Sequence, residues 1–374
     1  MSARLADPRL RGLLLSVAIP IVAVLLALLV VAVLLLLVDS DPLAAFDSMA
    51  NAAFGNAFSL STTIGKALPR LLAALGIALA LRAGLWNIGA EGQIYVGAIA
   101  AAAVTLWAPG LGALGIVLAI LASAVAGAMW GAVPGVLRAG RGVSEVITSL
   151  MLVYVAIQLA NYLVEGPWLV EGSTFPASTP VPADERLPIV WPGTLLNAGV
   201  FVALAGIVVM WVLVHRSTFG LRLRALGGSE RAARFAGVRV GTTIVAAMAI
   251  SGAFAGVAGS VEVLGVRGRL IEGFSPGYGF EAIAIALLGR LHPAGILGAA
   301  LLFGALDAGG AGLQTAARGA PAAIVQVAEG LAVVFVLIGL GVQELLARRQ
   351  RARAALEGSR PAVVDEVAVA APGR

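Results

Sequence analysis

The chain has 374 residues, of which 60% are hydrophobic and only 12% charged, with a mean hydropathy of +0.99. A soluble domain carries about 25% charged residues, so this sequence cannot clothe a water-facing surface and reads as all-α, one polytopic membrane helix bundle. The net charge of +5 does not point to nucleic acid, because the basic residues fall in short patches between apolar runs, the pattern of cytoplasmic loops; the absence of Cys excludes disulfides and thiol metal sites, and His215 and His292 lie far apart with no ligand spacing, so no metal is expected.

In chain order, residues 1–12 hold Arg4, Arg9 and Arg11 and are expected in the cytoplasm. Residues 13–38 form an apolar run longer than the roughly 7–15 residues of a signal-peptide core. The run is long enough to cross about 30 Å of hydrocarbon, so a retained first span is expected. Further spans are expected at 64–84, 91–107, 112–136, 144–164, 195–215, 241–264, 277–289, 294–311 and 322–343, about ten in all within a 13–346 bundle. The 277–289 run is short for a full crossing and is open to a re-entrant reading. Residues 165–194 form an external loop with six prolines, open to a short surface helix. Residues 216–240 form the longest internal cytoplasmic loop, and 347–374 a basic, then small and acidic tail expected to be disordered.

Charge supports this count. With the N-terminus inside, ten spans place 19 of the 25 basic residues in cytoplasmic segments, while Asp39, Asp41, Asp47, Glu165, Glu171, Asp184 and Glu185 fall outside. Both termini are therefore expected in the cytoplasm. Gly127, Gly131 and Gly135 recur every four residues, as do Gly252 and Gly256, which makes flat stripes where helices approach closely. Packing and a gating role are both open for them.

Three segments carry unusual chemistry. Gly84 to Gln93 sets Asn87, Glu91 and Gln93 among three glycines. Such groups at membrane depth need partners, and irregular backbone there is buried in protein or lines a cavity; an interfacial turn with Glu91 in water is the other reading. Within 216–240, Ser229 can cap a helix, Glu230 suits its first turn and Gly237 can end it. The resulting two-turn helix puts Ala232, Phe235 and Ala236 on one side and Arg231 and Arg234 on another. It suits docking in a partner's groove or lying on lipid headgroups. Glu281 enters an otherwise apolar stretch, Gly277 to Arg290, as a functional acid or a packing partner for a basic residue. Glu145, after Ser144, reads as a first-turn helix acid.

The runs Asn87-Ile88-Gly89-Ala90-Glu91-Gly92-Gln93, Ser144 to Leu152, Gly227 to Val238 and Gly279 to Gly289 occur in this order. Together they resemble the permease subunits of bacterial ABC importers for nucleosides and simple sugars, within the branched-chain amino acid and ribose permease superfamily, over about residues 10–345. The resemblance implies a multi-pass permease of the bacterial inner membrane. It would be paired with a second, related permease and with an ABC ATPase of two nucleotide-binding halves that carries ATP and Mg, and it would be fed by a substrate-binding lipoprotein or periplasmic protein. It implies a coupling helix over Gly228, Ser229, Glu230, Arg231, Ala232, Arg234, Phe235 and Gly237, and candidate path residues Asn87, Glu91, Gln93, Tyr154 and Glu281. Nucleosides are the leading substrate that it implies and simple sugars the alternative.

This chain departs from the family's pattern in a few places. Val153 stands where Asn is frequent, Ser229 where Asn is common, Phe235 where Tyr is common, and Glu281 where Asp is usual. No Gly-x-x-x-x-Gly-Lys-Ser/Thr phosphate loop is present, so ATP is expected on a partner. An ion-coupled secondary transporter would call for paired broken helices in two related halves, and no convincing repeat is found. An intramembrane enzyme lacks the paired carboxylates or Ser/His arrangement it would need.

Overall fold

The computed structural model describes residues 25–37, 40–170 and 175–316, with isolated positions 22, 172, 327, 330, 331, 334, 335, 338, 339, 341, 342 and 345. The predicted segments 1–12 and 347–374 lie outside the described residues. The predicted first span is described over Leu25–Leu37 (α1), and the predicted tenth only at isolated helical positions. Among the described residues there is no β-strand, only two isolated bridges.

Helices α2 (Pro42–Phe54) and α3 (Ala57–Arg82) follow α1. Their starts are set locally: Asp41 accepts from the Leu43 N–H with Pro42 in the first turn, and Asn56 accepts from the Ser59 N–H at 2.8 Å, both side-chain caps of exposed helix donors. The sequence reading left 39–63 as an external segment. The structure corrects this, because the two caps start helices there and α3 begins seven residues before the expected 64. Next come α4 (Ala90–Trp107), α5 (Ala113–Arg141), α6 (Glu145–Glu165), α7 (Gly199–His215), α8 (Thr218–Gly228), α9 (Glu230–Phe235), α10 (Val240–Val261), α11 (Tyr278–Leu288) and α12 (Pro293–Ala316). A π-turn over Glu262–Arg267 extends α10 and is closed by Gly268 at φ 67°.

Among the described residues, five helices are long and apolar enough to cross a membrane: Ala57–Arg82, Ala113–Arg141, Glu145–Glu165, Val240–Arg267 and Pro293–Leu313. The pair α7 and α8, bent by 68° at Arg216–Ser217, makes a sixth if taken together. Helix α11 has 11 residues, about 16 Å at 1.5 Å per residue, roughly half the hydrocarbon thickness. Helix α11 alone thus covers about half of that thickness, the shortness the sequence already marked in the 277–289 run.

Helices α3 and α10 form the centre, with α3 buried continuously from Ala67 to Ala80. Around them α5 is inside-out: its buried positions Gly115, Ala119, Ser123, Gly127, Gly131 and Gly135 recur every four residues, while Leu121, Val125 and Met129 face outward. That is the arrangement expected when lipid is the solvent and close backbone approach holds helices together. A Cβ placed on Gly127 would overlap the Gly252 carbonyl oxygen, and one on Gly256 would overlap that of Ser123. The two glycine stripes recognised in the sequence are therefore the two halves of one α5–α10 contact.

Among its described residues the proline-rich segment 166–198 carries a single 3₁₀ turn, Ala183–Glu185, and is tied to the α10–α11 connection. Ser178 N–H donates to the Leu270 carbonyl at 2.9 Å, Val181 N–H to Gly268 at 2.8 Å and Leu187 N–H to Leu264 at 3.0 Å. Glu185 accepts from the Leu111 N–H at 2.8 Å, adding the α4–α5 turn to the same cap.

Gly127→Ala is expected to lower stability by about 1–3 kcal/mol, the typical cost of overpacking. Gly140→Ala, where the space is open, is expected to be neutral or stabilising through helix propensity. Thermal midpoints of the two variants in detergent check this; equal midpoints would show that the α5–α10 contact does not need the glycine.

Candidate functional site

Arg70 lies near the midpoint of α3, about 20 Å from either end at 1.5 Å per residue. Its side chain is 1% exposed. A lone arginine at the centre of a membrane helix costs about 3 kcal/mol on insertion scales and more when isolated, so its partners decide whether the helix is tolerable. Nε donates to Glu281 Oε2 on α11, Nη2 to Asp307 Oδ2 on α12 at 2.8 Å, and Nη1 to the Lys66 carbonyl one turn earlier at 2.8 Å. The Tyr278 ring lies 4.5 Å from the guanidinium carbon, within cation–π range. Lys66 Nζ takes the other oxygen of Asp307 at 2.7 Å. Two cations and two carboxylates from three helices thus make a closed, charge-balanced cluster.

Next to it, α11 begins against α4. Glu91 Oε2 accepts from the Gly279 N–H at 2.6 Å, and the Ser275 hydroxyl bonds the same carboxylate. Ser275 Oγ in turn accepts from the Tyr278 N–H at 3.3 Å. Glu91 is thus in the first turn of its own helix and at the N-terminus of the half-helix α11, where two helix dipoles favour an anion. Gly279 is required for this approach, since a Cβ there would overlap the Glu91 backbone nitrogen. Glu262, buried in the π-turn, pairs with Arg267 at 3.1 Å, and Arg267 also donates to the Phe274 carbonyl at 3.2 Å.

A second polar cluster lies in the turn between α3 and α4, which is irregular from Leu85 to Asn87. Asn87 Nδ2 donates to Gln93 Oε1 and to Ser251 Oγ on α10, each at 2.8 Å, and Gln93 Nε2 returns a bond to Asn87 Oδ1 at 3.0 Å. All three side chains are buried, and paired amides are how such groups are tolerated there. Of the two readings of Gly84 to Gln93, the structure takes the buried one, not the interfacial turn with Glu91 in water.

The structure therefore brings Asn87 and Gln93 into one cluster and links Glu91 to Glu281 through the first turn of α11. It does not bring Tyr154 to them: that side chain is 61% exposed on the outer face of α6, while Val153 is buried against Gly92. Glu281 pairs with a basic residue, as one of its two readings held. Glu145 is a correction, because it does more than open a helix. It is buried, lies 3.6 Å from Arg138 and accepts weakly from the Trp86 N–H at 3.4 Å. Lys66, Arg70, Asp307, Tyr278 and Ser251 were missed. The signal for the first three was present, since all are charged residues inside predicted spans.

The predicted docking helix is α9. Ser229 Oγ accepts from the Ala232 N–H at 3.3 Å, Glu230 and Arg234 pair at 3.1 Å, and Gly237 follows at φ 80°. Ala233 is its buried anchor, packed with Leu79, Ala83, Leu85, Leu223, Leu226, Val240 and Ile244. Phe235 is 87% exposed, and Arg231, Ala232 and Ala236 face solvent with it. The sequence reading missed α8, which Ser217 caps through the Gly220 N–H. The two histidines, distant in sequence, meet beside this region with ring centroids 6.2 Å apart.

The model of the family described as branched-chain amino acid transport system / permease component matches residues 59–339. The chain is 37% identical to the glucose ABC transporter permease protein TsgB13 of Haloferax volcanii, over 85% of this chain and 86% of that one. It is 33% identical to the guanosine ABC transporter permease protein NupP of Bacillus subtilis, over 89% and 96%. It is 30% identical to the guanosine ABC transporter permease protein NupQ of the same organism, over 65% and 78%. No solved structure matches. A helical bundle with charges neutralised at its centre and a rigid helix outside it is what a multi-pass transport subunit needs, and the chain belongs to the branched-chain amino acid transport system permease-component family.

Proposed function

We propose that this chain is the permease subunit of an ATP-driven importer of nucleosides in a bacterial inner membrane, with ten spans and both ends in the cytoplasm. The charge split across the predicted loops supports that topology. The nucleoside assignment is supported by NupP, which is matched over almost its whole length. One observation in this chain carries the neutral-solute part of the reading: the N-terminus of the half-helix α11 already holds the Glu91 carboxylate. Half-helix N-termini in transporters typically meet an anionic group of the substrate. Here that place is filled, so a free amino acid or a nucleotide finds this helix end occupied, whereas a neutral solute does not need it. Simple sugars are the second reading, favoured by the 37% identity to TsgB13.

Energy enters from a partner ATPase with two nucleotide-binding halves, on which ATP and Mg are bound. Helix α9 is the coupling element. It is short, stiffened by a cap and an ion pair, held by Ala233, and its aromatic side chain is offered outward for a groove. Its anchor shares a packed cluster with Leu85, two residues from Asn87, so a push on α9 reaches the buried amide cluster and the base of α4 through contacting side chains. Alternation of the bundle between outward- and inward-open forms follows that push. A second, related permease completes the path, as suggested by NupP and NupQ, two guanosine permease proteins of one organism that both resemble this chain. A substrate-binding lipoprotein or periplasmic protein delivers the solute.

Phe235→Ala in the assembled complex is expected to weaken ATPase docking by roughly 2 kcal/mol, the scale of an interface aromatic anchor. Uptake then falls 10-fold or more while the thermal midpoint of the permease stays put, since the side chain is exposed. Unchanged substrate-stimulated ATP hydrolysis and uptake in a Phe235→Ala, Glu230→Ala, Arg234→Ala triple variant would refute the coupling role of α9.

Uptake of labelled guanosine, glucose and leucine by the complex, each with its binding protein, tests the substrate class. Guanosine uptake is expected, with glucose the alternative. Leucine carried as fast as either would overturn the argument from the filled helix end.

A further inference from the structure

The cluster around Arg70 is sealed on one side and open on the other. Arg70 is fully buried, whereas the side chains of Lys66, Asp307 and Glu281 retain 33%, 21% and 16% of their exposure. Carboxylates at this depth in a bundle face its interior or a water-filled cavity, not hydrocarbon. We propose that Glu281 and Asp307 form a subsite for a vicinal diol carried by a neutral solute, such as the ribose of a nucleoside or the ring hydroxyls of a hexose. This rests on the permease reading above.

The chemistry of the rim selects that ligand. An ionised carboxylate only accepts hydrogen bonds and has room for about four. Glu281 commits Oε2 to Arg70, and Oε1 receives no hydrogen bond among the described residues. Asp307 accepts from Lys66 through Oδ1 and from Arg70 through Oδ2, so each oxygen keeps a second lone pair. Arg70 is buried and Lys66 spends two of its three N–H groups on Asp307, so the rim offers mainly acceptors, and paired hydroxyls supply donors. The two cations balance the two anions, and Glu91 fills the neighbouring helix end, so an anionic solute finds no free counter-charge here.

The test compares guanosine with 2′-deoxyguanosine in proteoliposomes of the whole complex, and glucose with 2-deoxyglucose in parallel. The same binding protein is used throughout, so its own discrimination cancels between variants. In Glu281→Gln, and in the charge-neutral double variant Arg70→Met with Glu281→Met, the preference for the diol over its deoxy analogue is expected to fall about 10-fold, the scale of a lost hydrogen bond to a charged group. The pair that shows the drop identifies ribose or hexose as the diol. An unchanged ratio, or an equal loss for both members of each pair in an assembled complex, makes the cluster structural and overturns the proposal. If neither charge variant assembles, Glu281→Asp, which keeps the charge and draws the carboxylate back by one methylene, decides: a lowered preference for the diol supports the subsite and an unchanged ratio overturns it. A wild-type complex that carries neither nucleoside nor hexose overturns the substrate reading itself, which is a different result from a lost preference.

Discussion

A guanidinium at the middle of a membrane span has to be neutralised where it stands. Arg70 cannot snorkel to either surface, because both lie about 20 Å away along α3 and an arginine side chain reaches much less. Its partners must therefore come to it, and they come from two other helices, Glu281 of α11 and Asp307 of α12. Removing one member of a buried ionic group costs about 3–5 kcal/mol through the charge left behind, far more than an exposed pair. The relative depth and rotation of α3, α11 and α12 are thus fixed by one side chain. Apolar packing alone would not fix them, since lipid competes equally for Leu and Val.

The half-helix follows from the same constraint. Helix α11 begins midway through the bundle, and its first N–H groups have no helical partner. At this depth there is no bulk water to satisfy them. Glu91 and Ser275 do so, and Glu91 reaches them only because Gly279 lets α11 press against the backbone of α4. A carboxylate from one helix, a glycine in another and a serine between them solve one hydrogen-bonding problem. In doing so they fill a helix N-terminus that would otherwise be open to an anion.

Much of this could be read from residue order. The apolar runs located α4, α6, α7, α10 and α12 to within a few residues, the glycine stripes marked the α5–α10 contact, and Ser229, Glu230 and Gly237 marked α9. These are local signals, with a cap, a period or a charge at a fixed offset. The charge cluster was not legible. Lys66 and Asp307 are 241 positions apart, and an acid in one apolar run does not announce its base in another. Arg70 was visible as one of the basic residues that the loop pattern left over, yet only the fold joins it to Glu281. Tyr154 stands apart from both clusters because helical phase turns its side chain to the outside of this chain and Val153 to the inside. Helices α2 and α8 were hidden because each abuts a longer apolar run, and only their capping residues, Asp41 and Ser217, separate them from it.

The two polar clusters sit at different depths and suit different tasks. Asn87, Gln93 and Ser251 form a neutral amide and hydroxyl network at the base of α4, adjacent to the packed cluster that anchors α9. Exchanging such bonds costs about 1 kcal/mol each, which a partner driven by ATP can supply. The ionic cluster at Arg70 is costlier to break and holds α3, α11 and α12 as one unit. A mechanical push arriving at Leu85 therefore meets a soft element first and a stiff one behind it. Motion is expected to concentrate at the Gly84 to Gly89 turn, with the three charge-linked helices moving together as a rigid body. A transport subunit that receives its stroke from a partner is served by that division: one compliant joint, and one rigid unit behind it that keeps its geometry.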